Sequence, residues 1–464
     1  MKNIPILLVA AYTLGCKVNQ CDTEAVLGRL VGIGCTVRNF NQHADLYIIN
    51  TCTVTHTSDK KSRQMIRRAR KQNPNALVAV CGCMAKSDPA IADVLGVDFV
   101  FDARKPDEFV KMVADRVGQL QAKPEITESV YKITATRTRA FVKIQDGCDR
   151  FCSYCIVPYV RGKPVSRPVE DILAEISGLI ATGVQEIVLT GIQAASYGED
   201  NCERSELQLL SSDDLCLPQG GLCPTERNGI NAITFAGLVK QVLDFDNLKR
   251  LRLSSIDPCA VTDEFLSVVA SSQVLCDHFH LSLQSGCDAT LARMNRRYTS
   301  AQYAKIVDSL LKIRPNAAIT TDIIVGFPGE TDDDFAESLD FAQRIGFASI
   351  HVFEYSKREG TPAAGFANQI ADHVKTERSK RLRELAATLQ TNFYNLQIGK
   401  RVSVLFEMPK PANTRWQGHS SNYCPVEVTI ADCSKNLANT IHQVKITACT
   451  PDGLIGKYNK AEPH

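Results

Sequence analysis

The chain has 464 residues, of which 44% are hydrophobic and 22% are charged, and its formal net charge is +2. A prior of roughly 150 residues per domain predicts about three domains. The nearly neutral charge excludes nucleic-acid binding through bulk charge, so such binding would need local basic patches. The eighteen cysteines are not arranged like a small secreted disulfide scaffold, which favours metal binding or catalysis.

The N-terminal stretch MKNIPILLVAAYTLGCK imitates a signal peptide, because one lysine precedes an apolar run. The run is short, it lacks a convincing cleavage site, and it continues directly into a Gly-Cys turn. It therefore predicts a buried strand. No apolar stretch is long enough to cross a membrane, so we expect a cytoplasmic protein without a membrane partner.

The first predicted domain, residues 1–125, alternates apolar runs with helical patterns, which indicates a parallel α/β sheet. The runs IPILLVAAY, ADLYIIN and ALVAV are each followed within a few residues by a cysteine, namely Cys16, Cys52 and Cys83. Loops after the carboxyl ends of parallel strands gather on one edge of a sheet, so these thiols can converge. The pattern predicts a shared metal site; the alternative is three small buried side chains.

A basic patch, DKKSRQMIRRARKQ at 59–72, follows Cys52 closely. Only Asp59 offsets its seven basic residues, so contact with nucleic-acid phosphates is one interpretation. The other interpretation is an ordinary solvated helix face. The side chains expected to contact RNA are Lys60, Lys61, Arg63, Arg67 and Arg68, with Arg70 and Lys71 completing the patch.

A linker near 126–138 leads into a second α/β series, and the second predicted domain covers 136–372. Predicted strands lie at 140–145, 186–191, 250–255, 279–285, 319–327 and 348–356. Helical patterns separate them near 168–182, 235–244, 261–273, 301–313 and 332–345. Six strand–helix units predict a complete or partial barrel with its chemistry at the carboxyl ends of the strands.

One acidic segment, 198–231, interrupts this rhythm and contains Cys202, Cys216 and Cys223. From 199 to 231 it has seven acids against two bases, a net charge of −5. A loop of this length is either functional or loosely ordered. We expect a surface insert that does not touch phosphate.

The last predicted domain, 397–464, follows a basic helical stretch that begins near 374. Its short runs RVSVLFE, VEVTIA and QVKITACT predict a small β-barrel. Trp416 and Tyr423 either stack on bases or pack within that barrel. The predicted fold class is therefore α/β, with an N-terminal parallel sheet domain, a central partial (β/α)6 barrel and a small C-terminal β-barrel.

Three cysteines, Cys148, Cys152 and Cys155, stand in KIQDGCDRFCSYC, just after the first predicted barrel strand. A structural zinc site needs four ligands, and neither a histidine nor a fourth cysteine stands beside them. Three thiolates suit an iron–sulfur cluster that keeps one iron free for another ligand. The nine histidines show no metal-ligand spacing, and we assign none of them a role.

The motif KIQDGCDRFCSYC resembles the C-x3-C-x-φ-C signature of radical S-adenosylmethionine (SAM) enzymes, with Tyr154 as the aromatic φ. The resemblance implies a 4Fe–4S cluster on the three cysteines, SAM on its open iron, and Tyr154 in the cofactor site. The motifs VLTGIQ and TTDIIVGFPGET imply a SAM pocket. Its expected contacts are Thr190, Gly191, Gln284, Asp322 and Gly326.

The motifs GCKVNQ, NTCTV and GCMA are similar to the auxiliary-cluster cysteines of radical-SAM methylthiotransferases. They imply a second 4Fe–4S cluster on Cys16, Cys52 and Cys83, although Cys81 stands close enough to Cys83 to leave the third ligand open. Family spacing favours Cys83. The resemblance implies that one electron from the Cys148/Cys152/Cys155 cluster, supplied by an external donor, cleaves SAM to a deoxyadenosyl radical. It also implies that sulfur comes from the auxiliary cluster after methylation by a second SAM.

The tail motif GHSSNYCPVEV resembles, more weakly, the RNA-binding TRAM domain of those enzymes. YTLGCKVNQCDTE, TTDIIVGFPGET and EYSKREGTPAA are similar to the tRNA threonylcarbamoyladenosine branch. The resemblance implies methylthiolation at C2 of threonylcarbamoyladenosine at position 37, with the tRNA anticodon stem-loop as partner. The segment 198–231 departs from the short connection usual in that family.

Three alternatives stay open at this point. The substrate could be isopentenyladenosine in tRNA or an aspartate of a ribosomal protein. The third alternative is a cluster-bearing RNA-binding protein without turnover, in which the cysteines of 148–155 would be structural.

Overall fold

The computed structural model describes residues 7–87, 94–117, 138–201, 233–409, 415–430 and 436–458. Its N-terminal part is a five-stranded, fully parallel sheet in the order β2-β1-β3-β4-β5. The strands are β1 (Leu8–Thr13), β2 (Thr36–Arg38), β3 (Leu46–Thr51), β4 (Leu77–Gly82) and β5 (Phe99–Val100). The helices are α1 (Lys17–Gly32), α2 (His56–Gln72), α3 (Cys83–Ser87) and α4 (Pro106–Val117).

The hydrophobic pattern explains this sheet. All six residues of the central strand β3 are buried, as expected for a parallel strand covered by helices on both faces. The predicted strands and the parallel topology are confirmed. The short edge strands β2 and β5 were not predicted, because the three residues of β2 are all exposed and β5 has only two residues.

The central part is a curved sheet of six parallel strands, with the short strand β7 antiparallel to the first of them. The strands are β6 (Arg139–Asp146), β7 (Val165–Ser166), β8 (Glu186–Gly191), β9 (Arg250–Leu253), β10 (His278–His280), β11 (Ala318–Val325) and β12 (Ser349–Glu354). The helices are α5 (Val157–Arg161), α6 (Val169–Ala181), α7 (Phe235–Leu243), α8 (Asp263–Ser271), α9 (Asp288–Arg293), α10 (Ser300–Ile313), α11 (Asp332–Ile345) and α12 (Asp372–Asn395).

Regular ladders join β7-β6-β8-β9 and β10-β11-β12. Backbone bonds just beyond the strands connect the two groups: the Cys276 N–H donates to the Leu251 carbonyl (2.8 Å), and the Ile256 N–H donates to the His280 carbonyl (3.0 Å). Among the described residues, β12 does not pair with β6. The barrel is therefore partial, with a lateral opening, as the predicted fold class requires.

Side-chain alternation gives the barrel an apolar outer face and a polar inner one. Ala140, Val142 and Ile144 of β6 pack in the large hydrophobic core beneath the helices. The intervening residues point into the half-barrel, which we call the lumen. Charged and imidazole side chains on this inner face are Arg139, Lys143, Glu186, Arg250, Arg252, His278, His280, Asp322 and His351. Most of the segment 198–231 lies outside the described residues.

The C-terminal part is a closed five-stranded barrel in the order β13-β14-β15-β17-β16, which confirms the predicted small β-barrel. The strands are β13 (Arg401–Pro409), β14 (Arg415–Ser420), β15 (Pro425–Thr429), β16 (Thr440–Thr450) and β17 (Gly453–Tyr458). Trp416 is 3% exposed and packs in this barrel's core. It therefore follows the packing alternative rather than the base-stacking one.

Tyr423 instead joins the C-terminal barrel to the central one. Its ring stacks on His419 at 4.8 Å between centroids, and the guanidinium groups of Arg252 and Arg139 lie 4.6 and 5.4 Å from its centroid. Arg250 also donates to the carbonyl of Ser403 at 2.6 Å. Arg139 and Arg250 are the first residues of their strands, so the C-terminal barrel closes the amino end of the lumen.

In the parts of the chain that the structure describes, every helix is too short or too polar to cross a bilayer.

Candidate active site

The loop with Cys148, Cys152 and Cys155 begins directly after β6, at the carboxyl end of the lumen. Gly147 makes this turn possible: its φ is +77°, and a Cβ at this position would lie 2.0 Å from the carbonyl oxygen of Lys163. The Cys148 N–H donates to the Gly162 carbonyl at 3.0 Å. A glycine is therefore needed immediately before the first cysteine, for conformation and for space.

A second segment, the residues that follow α9, holds the middle of the cysteine loop. Ser153 donates through its N–H to the Met294 carbonyl (3.1 Å) and through its hydroxyl to the Arg293 carbonyl (2.8 Å). Asn295 Nδ2 donates to the carbonyl of Phe151 at 3.1 Å. These bonds connect residues about 140 positions apart, so the cysteine loop is supported by the barrel and does not stand free.

The three thiols of this loop are close enough to interact electrostatically. Burial raises the pKa of Cys148, and burial together with the neighbouring Cys152 raises the pKa of Cys155 to about 12. Donors also surround the sulfur atoms: Arg296 Nη1 lies 3.4 Å from Cys152 Sγ, and the Arg150 N–H lies 3.5 Å from Cys148 Sγ. Such donors stabilise thiolates, the form in which cysteine binds iron.

This donor set fits a cluster better than a single ion. Within the described ranges, no three His, Cys, Asp or Glu side chains are grouped so that they could hold one metal ion. A 4Fe–4S cluster distributes its thiolate ligands over different irons and so needs a wider arrangement. Three cysteine thiols in one loop, with N–H donors to their sulfur atoms, suit an iron–sulfur cluster.

The second group of cysteines lies at the carboxyl edge of the N-terminal sheet. Cys16 precedes α1, Cys52 follows β3, and Cys83 begins α3 after β4. Because β1, β3 and β4 are neighbours in the sheet, the three loops meet. Burial raises the pKa of Cys83 to about 11, with Cys52 and Cys16 as further contributors, so the three sulfur groups interact. The structure places the three thiols together, as their strand-end positions predicted.

The neighbouring Cys81 has a different environment. It lies within β4, it is fully buried, and it packs in the hydrophobic cluster on one face of the sheet with Val9, Ile48 and Phe109. Cys81 is only two residues from Cys83, but it still belongs to strand β4. Its side chain therefore points into the core. Cys83 is therefore the thiol that faces Cys16 and Cys52.

Arg161 connects the end of β6, two residues before Cys148, to helix α1, which follows Cys16. Its Nη1 donates to both carboxylate oxygens of Asp146, at 2.7 and 2.9 Å, and its Nη2 lies 3.2 Å from Asp22 and contacts Asn19. Burial raises the pKa of Cys83, and the Arg161 guanidinium acts against that rise. Arg161 is 7% exposed, so this is a buried, charge-assisted contact between the N-terminal sheet and the barrel. No local sequence pattern indicates this contact, because its partners are about 140 residues apart.

The residues expected to contact SAM are distributed around the carboxyl half of the lumen. Thr190 and Gly191 end β8, and the Gly191 Cα faces Gln145 Oε1 and Ala194. Gln284 has a φ of +75°, and its N–H donates to the Asp322 carbonyl at 2.8 Å. The ring of Tyr154 makes an edge contact with Phe327, 6.4 Å between centroids.

Two of the expected SAM contacts have partners within the protein. The Gly326 N–H donates to Glu330 Oε2 at 2.6 Å, and the Lys375 side chain covers the Gly326 Cα. The Asp322 carboxylate is paired with His280 (3.2 Å) and His351 (3.3 Å). Although burial acts to raise it, these two imidazoles hold the pKa of Asp322 below its usual range.

Gln145 and the histidine pair His278 and His280 were not predicted as site residues. Gln145 is fully buried. Its Nε2 donates to the carbonyls of Asp146 (2.8 Å) and Gly147 (2.9 Å), and these bonds stabilise the start of the cysteine loop. His278 and His280 both contact the hydroxyl of Thr320, at 3.1 and 3.0 Å. The alternation HFH was the available signal, since it puts both imidazoles on one face of a strand.

The basic patch lies on α2, directly after Cys52. Lys60, Lys61, Arg67 and Arg68 are exposed, and Arg63 is half-buried. Arg70 has a structural role instead: it pairs with Asp98 at 2.5 Å and donates to the carbonyl of Ala76 at 2.6 Å. Asp59 pairs with Arg358 of the barrel at 2.6 Å. Asp59 is thus paired with Arg358 and does not neutralise the exposed cations of α2.

Comparisons with known proteins agree with this arrangement. Residues 8–102 match the uncharacterized protein family UPF0004, and residues 142–342 match the Radical SAM superfamily. The radical S-adenosylmethionine methyltransferase TsrM from Kitasatospora setae, solved with cobalamin and a [4Fe-4S] cluster bound, superposes with a TM-score of 0.53. The identity is 14% over 77% of each chain, so this likeness establishes a shared fold.

Relatives of known name match over almost the whole chain. The threonylcarbamoyladenosine tRNA methylthiotransferase MtaB of Bacillus subtilis (strain 168) is 36% identical, over 94% of this chain and 93% of the relative. MtaB of Chlamydia pneumoniae is 35% identical over 96% of each chain. The tRNA-2-methylthio-N(6)-dimethylallyladenosine synthase of Lachnoclostridium phytofermentans is 33% identical over 94% of this chain and 92% of the relative.

Iron–sulfur and SAM chemistry are common to the superfamily matched by the barrel. The relatives align with almost the whole chain, including both matched regions. The chain therefore belongs to the radical-SAM methylthiotransferase family, and its relatives at 35% and 36% identity put it in the MtaB branch.

Proposed function

We propose that this enzyme methylthiolates C2 of N6-threonylcarbamoyladenosine at position 37 of tRNA. The observation that carries the proposal is the buried contact of Arg161 with Asp146 and Asp22, which joins the strand end that leads into the cysteine loop to the helix that follows Cys16. Relatives named for this reaction support the choice of nucleoside. The second candidate substrate is isopentenyladenosine, because relatives named for the dimethylallyl nucleoside are 31–33% identical.

The proposal includes two 4Fe–4S clusters, one on Cys148, Cys152 and Cys155 and one on Cys16, Cys52 and Cys83. When bound, the barrel cluster and SAM supply radical chemistry, which is needed because acid–base side chains cannot functionalise an unactivated aromatic C–H bond. The protein positions the reactants: Gln145 and Ser153 hold the cysteine loop, and Arg161 joins the end of β6 to α1. An external one-electron donor completes the reaction.

We propose Tyr154, Thr190, Gly191, Gln284, Asp322 and Gly326 as the wall of the SAM pocket. All six stand at or beyond the carboxyl half of barrel strands, on the cysteine side of the lumen. Gly326 would shape this wall without donating its N–H, since Glu330 already accepts that bond. The proposed division of the chain is 1–125 for the auxiliary-cluster domain, 136–372 for the radical-SAM barrel and 397–464 for the TRAM-like domain.

The anticodon stem-loop is the proposed RNA partner, and Lys60, Lys61, Arg63, Arg67 and Arg68 are proposed to contact its phosphates. The exposed members of this set stand on α2, which begins four residues after Cys52. Lys60 and Lys61 therefore stand near the start of α2, close in sequence to Cys52, and Arg67 and Arg68 follow about two turns later on the same helix. We place the enzyme in the cytoplasm because its proposed substrate is tRNA.

Neutralising Arg67 and Arg68 together should weaken tRNA binding and reduce the slope of log Kd against log salt by about one to two, because each phosphate contact releases counterions. Anisotropy titrations at several salt concentrations measure this slope. The matched control is the double change Lys305→Ala and Lys312→Ala, which removes two exposed charges from α10 on the outer face of the barrel. An unchanged slope in the α2 variant, or an equal loss in the control, would contradict the patch assignment.

The function is tested by incubating reconstituted enzyme, SAM and reductant with anticodon stem-loops that carry either threonylcarbamoyladenosine or isopentenyladenosine. The expected result is a 2-methylthio product from the first RNA, identified by mass spectrometry of the released nucleosides. Product from the isopentenyl RNA alone would overturn the choice of nucleoside. A protein that binds RNA and cleaves no SAM would overturn the enzymatic assignment.

A further inference from the structure

Lys17 is a cation at the edge of the lumen. The proposed reaction gives this residue no role. It follows Cys16 and is the first residue of α1. Cys16 and Lys17 are both exposed, although α1 packs against the inner face of the barrel: Lys143 on that face forms an ion pair with Asp22 of α1. Residues that are exposed between α1 and the inner face of the barrel line the open part of the lumen. The Lys17 Nζ lies 5.9 Å from the centroid of the Phe141 ring on β6.

The charge of Lys17 acts on opposite walls of the lumen. Burial lowers the pKa of His278 on β10, and the positive charges of Arg252 and Lys17 lower it further. On β12, a hydrogen bond to Asp322 raises the pKa of His351, while Lys17 acts against that rise. Strands β6, β10 and β12 stand on different sides of the half-barrel. Phe141 alternates with the outward-facing Ala140 and Val142, so its ring and the Lys17 Nζ beside it are on the lumen side of β6.

The other cations of this region have acidic partners, whereas Lys17 has none. Arg139 and Arg252 each contact Glu186 at 2.7 Å, and Arg161 contacts Asp146 at 2.7 Å. Within the described parts of the chain, no carboxylate stands within ion-pair distance of Lys17. An anion that entered the lumen would therefore be attracted to this position.

The proposed substrate brings such an anion. The threonylcarbamoyl group on N6 ends in a carboxylate, whereas an isopentenyl group is apolar and uncharged. On adenine, C2 and the carbon that bears N6 both adjoin N1, so the N6 substituent stays near any group that acts on C2. A cation beside Cys16 is therefore well placed to meet the substituent while C2 faces the auxiliary site.

We propose that Lys17 binds the threonine carboxylate of the substrate nucleoside and so selects it over nucleosides with a neutral N6 substituent. This inference rests on the proposed function and extends it to a specificity-determining residue. Lys17 takes no part in cluster ligation in this proposal. Its contribution is an ion pair formed only when the charged substituent is present.

The test uses two anticodon stem-loops that differ at one group, the threonine carboxylate and its carboxamide. Anisotropy gives the Kd of each RNA for the reconstituted enzyme without SAM. The wild-type enzyme should prefer the carboxylate about tenfold or more, as expected for a hydrogen bond to a charged group. Lys17→Met should lose this preference, and Lys17→Arg should keep most of it. Lys111→Met, an exposed lysine of α4, is the matched control.

The ratio of the two Kd values is the deciding quantity, because a folding or cluster defect in a variant weakens both RNAs together. A ratio in Lys17→Met equal to that of wild type would overturn the inference. If the wild-type enzyme methylthiolates the threonylcarbamoyl RNA and the Lys17→Met variant keeps the wild-type Kd ratio, the proposed role of Lys17 is refuted and the proposed function stands. A wild-type enzyme active only on isopentenyl RNA would instead refute the proposed function.

Discussion

Replacing Cys148, Cys152 and Cys155 together by alanine should lower the iron content of anaerobically reconstituted protein from about eight to about four per chain. It should also abolish release of deoxyadenosine from SAM by the reduced protein. The physical reason is that these thiols are the ligands of one cluster, and the loop that carries them offers no substitute thiolate. Iron and sulfide analysis, with chromatography of the SAM products, measures both effects.

The remaining iron in that variant tests the second cluster. Cys83→Ala in the otherwise wild-type chain should lower the iron content by about four and leave the barrel cluster in place. Cys81→Ala is the matched control, because Cys81 is equally close in sequence but is buried in the core of the sheet. About four irons in wild type, all lost with the barrel cysteines, would mean that Cys16, Cys52 and Cys83 hold no cluster.

Arg161→Met should lower the free energy of unfolding by about 3 kcal/mol, because it leaves buried carboxylates without their main partner. Asp146 and Asp22 both lose a contact to the guanidinium, at 2.7 and 3.2 Å. Lys143 still contacts both acids, which is why we expect the lower end of the range of about 3–5 kcal/mol for breaking a buried pair. Urea titration of anaerobic protein measures the loss.

Arg104→Met is the control for that experiment. Arg104 stands in the same contact region and donates to the carbonyl of Arg161 at 3.0 Å, but its ion pair with Asp102 is partly open to solvent. A partly exposed pair contributes about 0–1 kcal/mol. Equal, small losses in the two variants would show that Arg161 does not couple the sheet to the barrel.

Local patterns in the sequence determined most of the regular structure. The predicted strand 319–327 agrees closely with Ala318–Val325, and the predicted helix 332–345 with Asp332–Ile345. Both are long, periodic and bounded by clear signals, such as the capping box at Thr331. The short strands β2 and β5 carry no such periodicity, and they were missed for that reason.

The cysteine sites were predictable to different degrees. Cys148, Cys152 and Cys155 stand within eight residues, so their proximity follows from chain connectivity alone. The meeting of Cys16, Cys52 and Cys83 needed one topological rule, that loops after parallel strands share an edge. The rule could not separate Cys81 from Cys83. Only the end of β4 at Gly82 does so, because it leaves Cys81 in the sheet and Cys83 in the following helix.

The sequence by itself thus determined the order of the three domains, the barrel strands, and the two groups of thiols that suit iron–sulfur clusters. The tertiary structure alone decided which charges have partners. Arg161 contacts residues about 140 positions away, Arg70 forms an ion pair with Asp98, and Lys17 has no acid within ion-pair distance in the described part of the chain. The reason is physical: periodicity and capping act over a few residues, whereas the pairing of a charge depends on which distant elements pack around it.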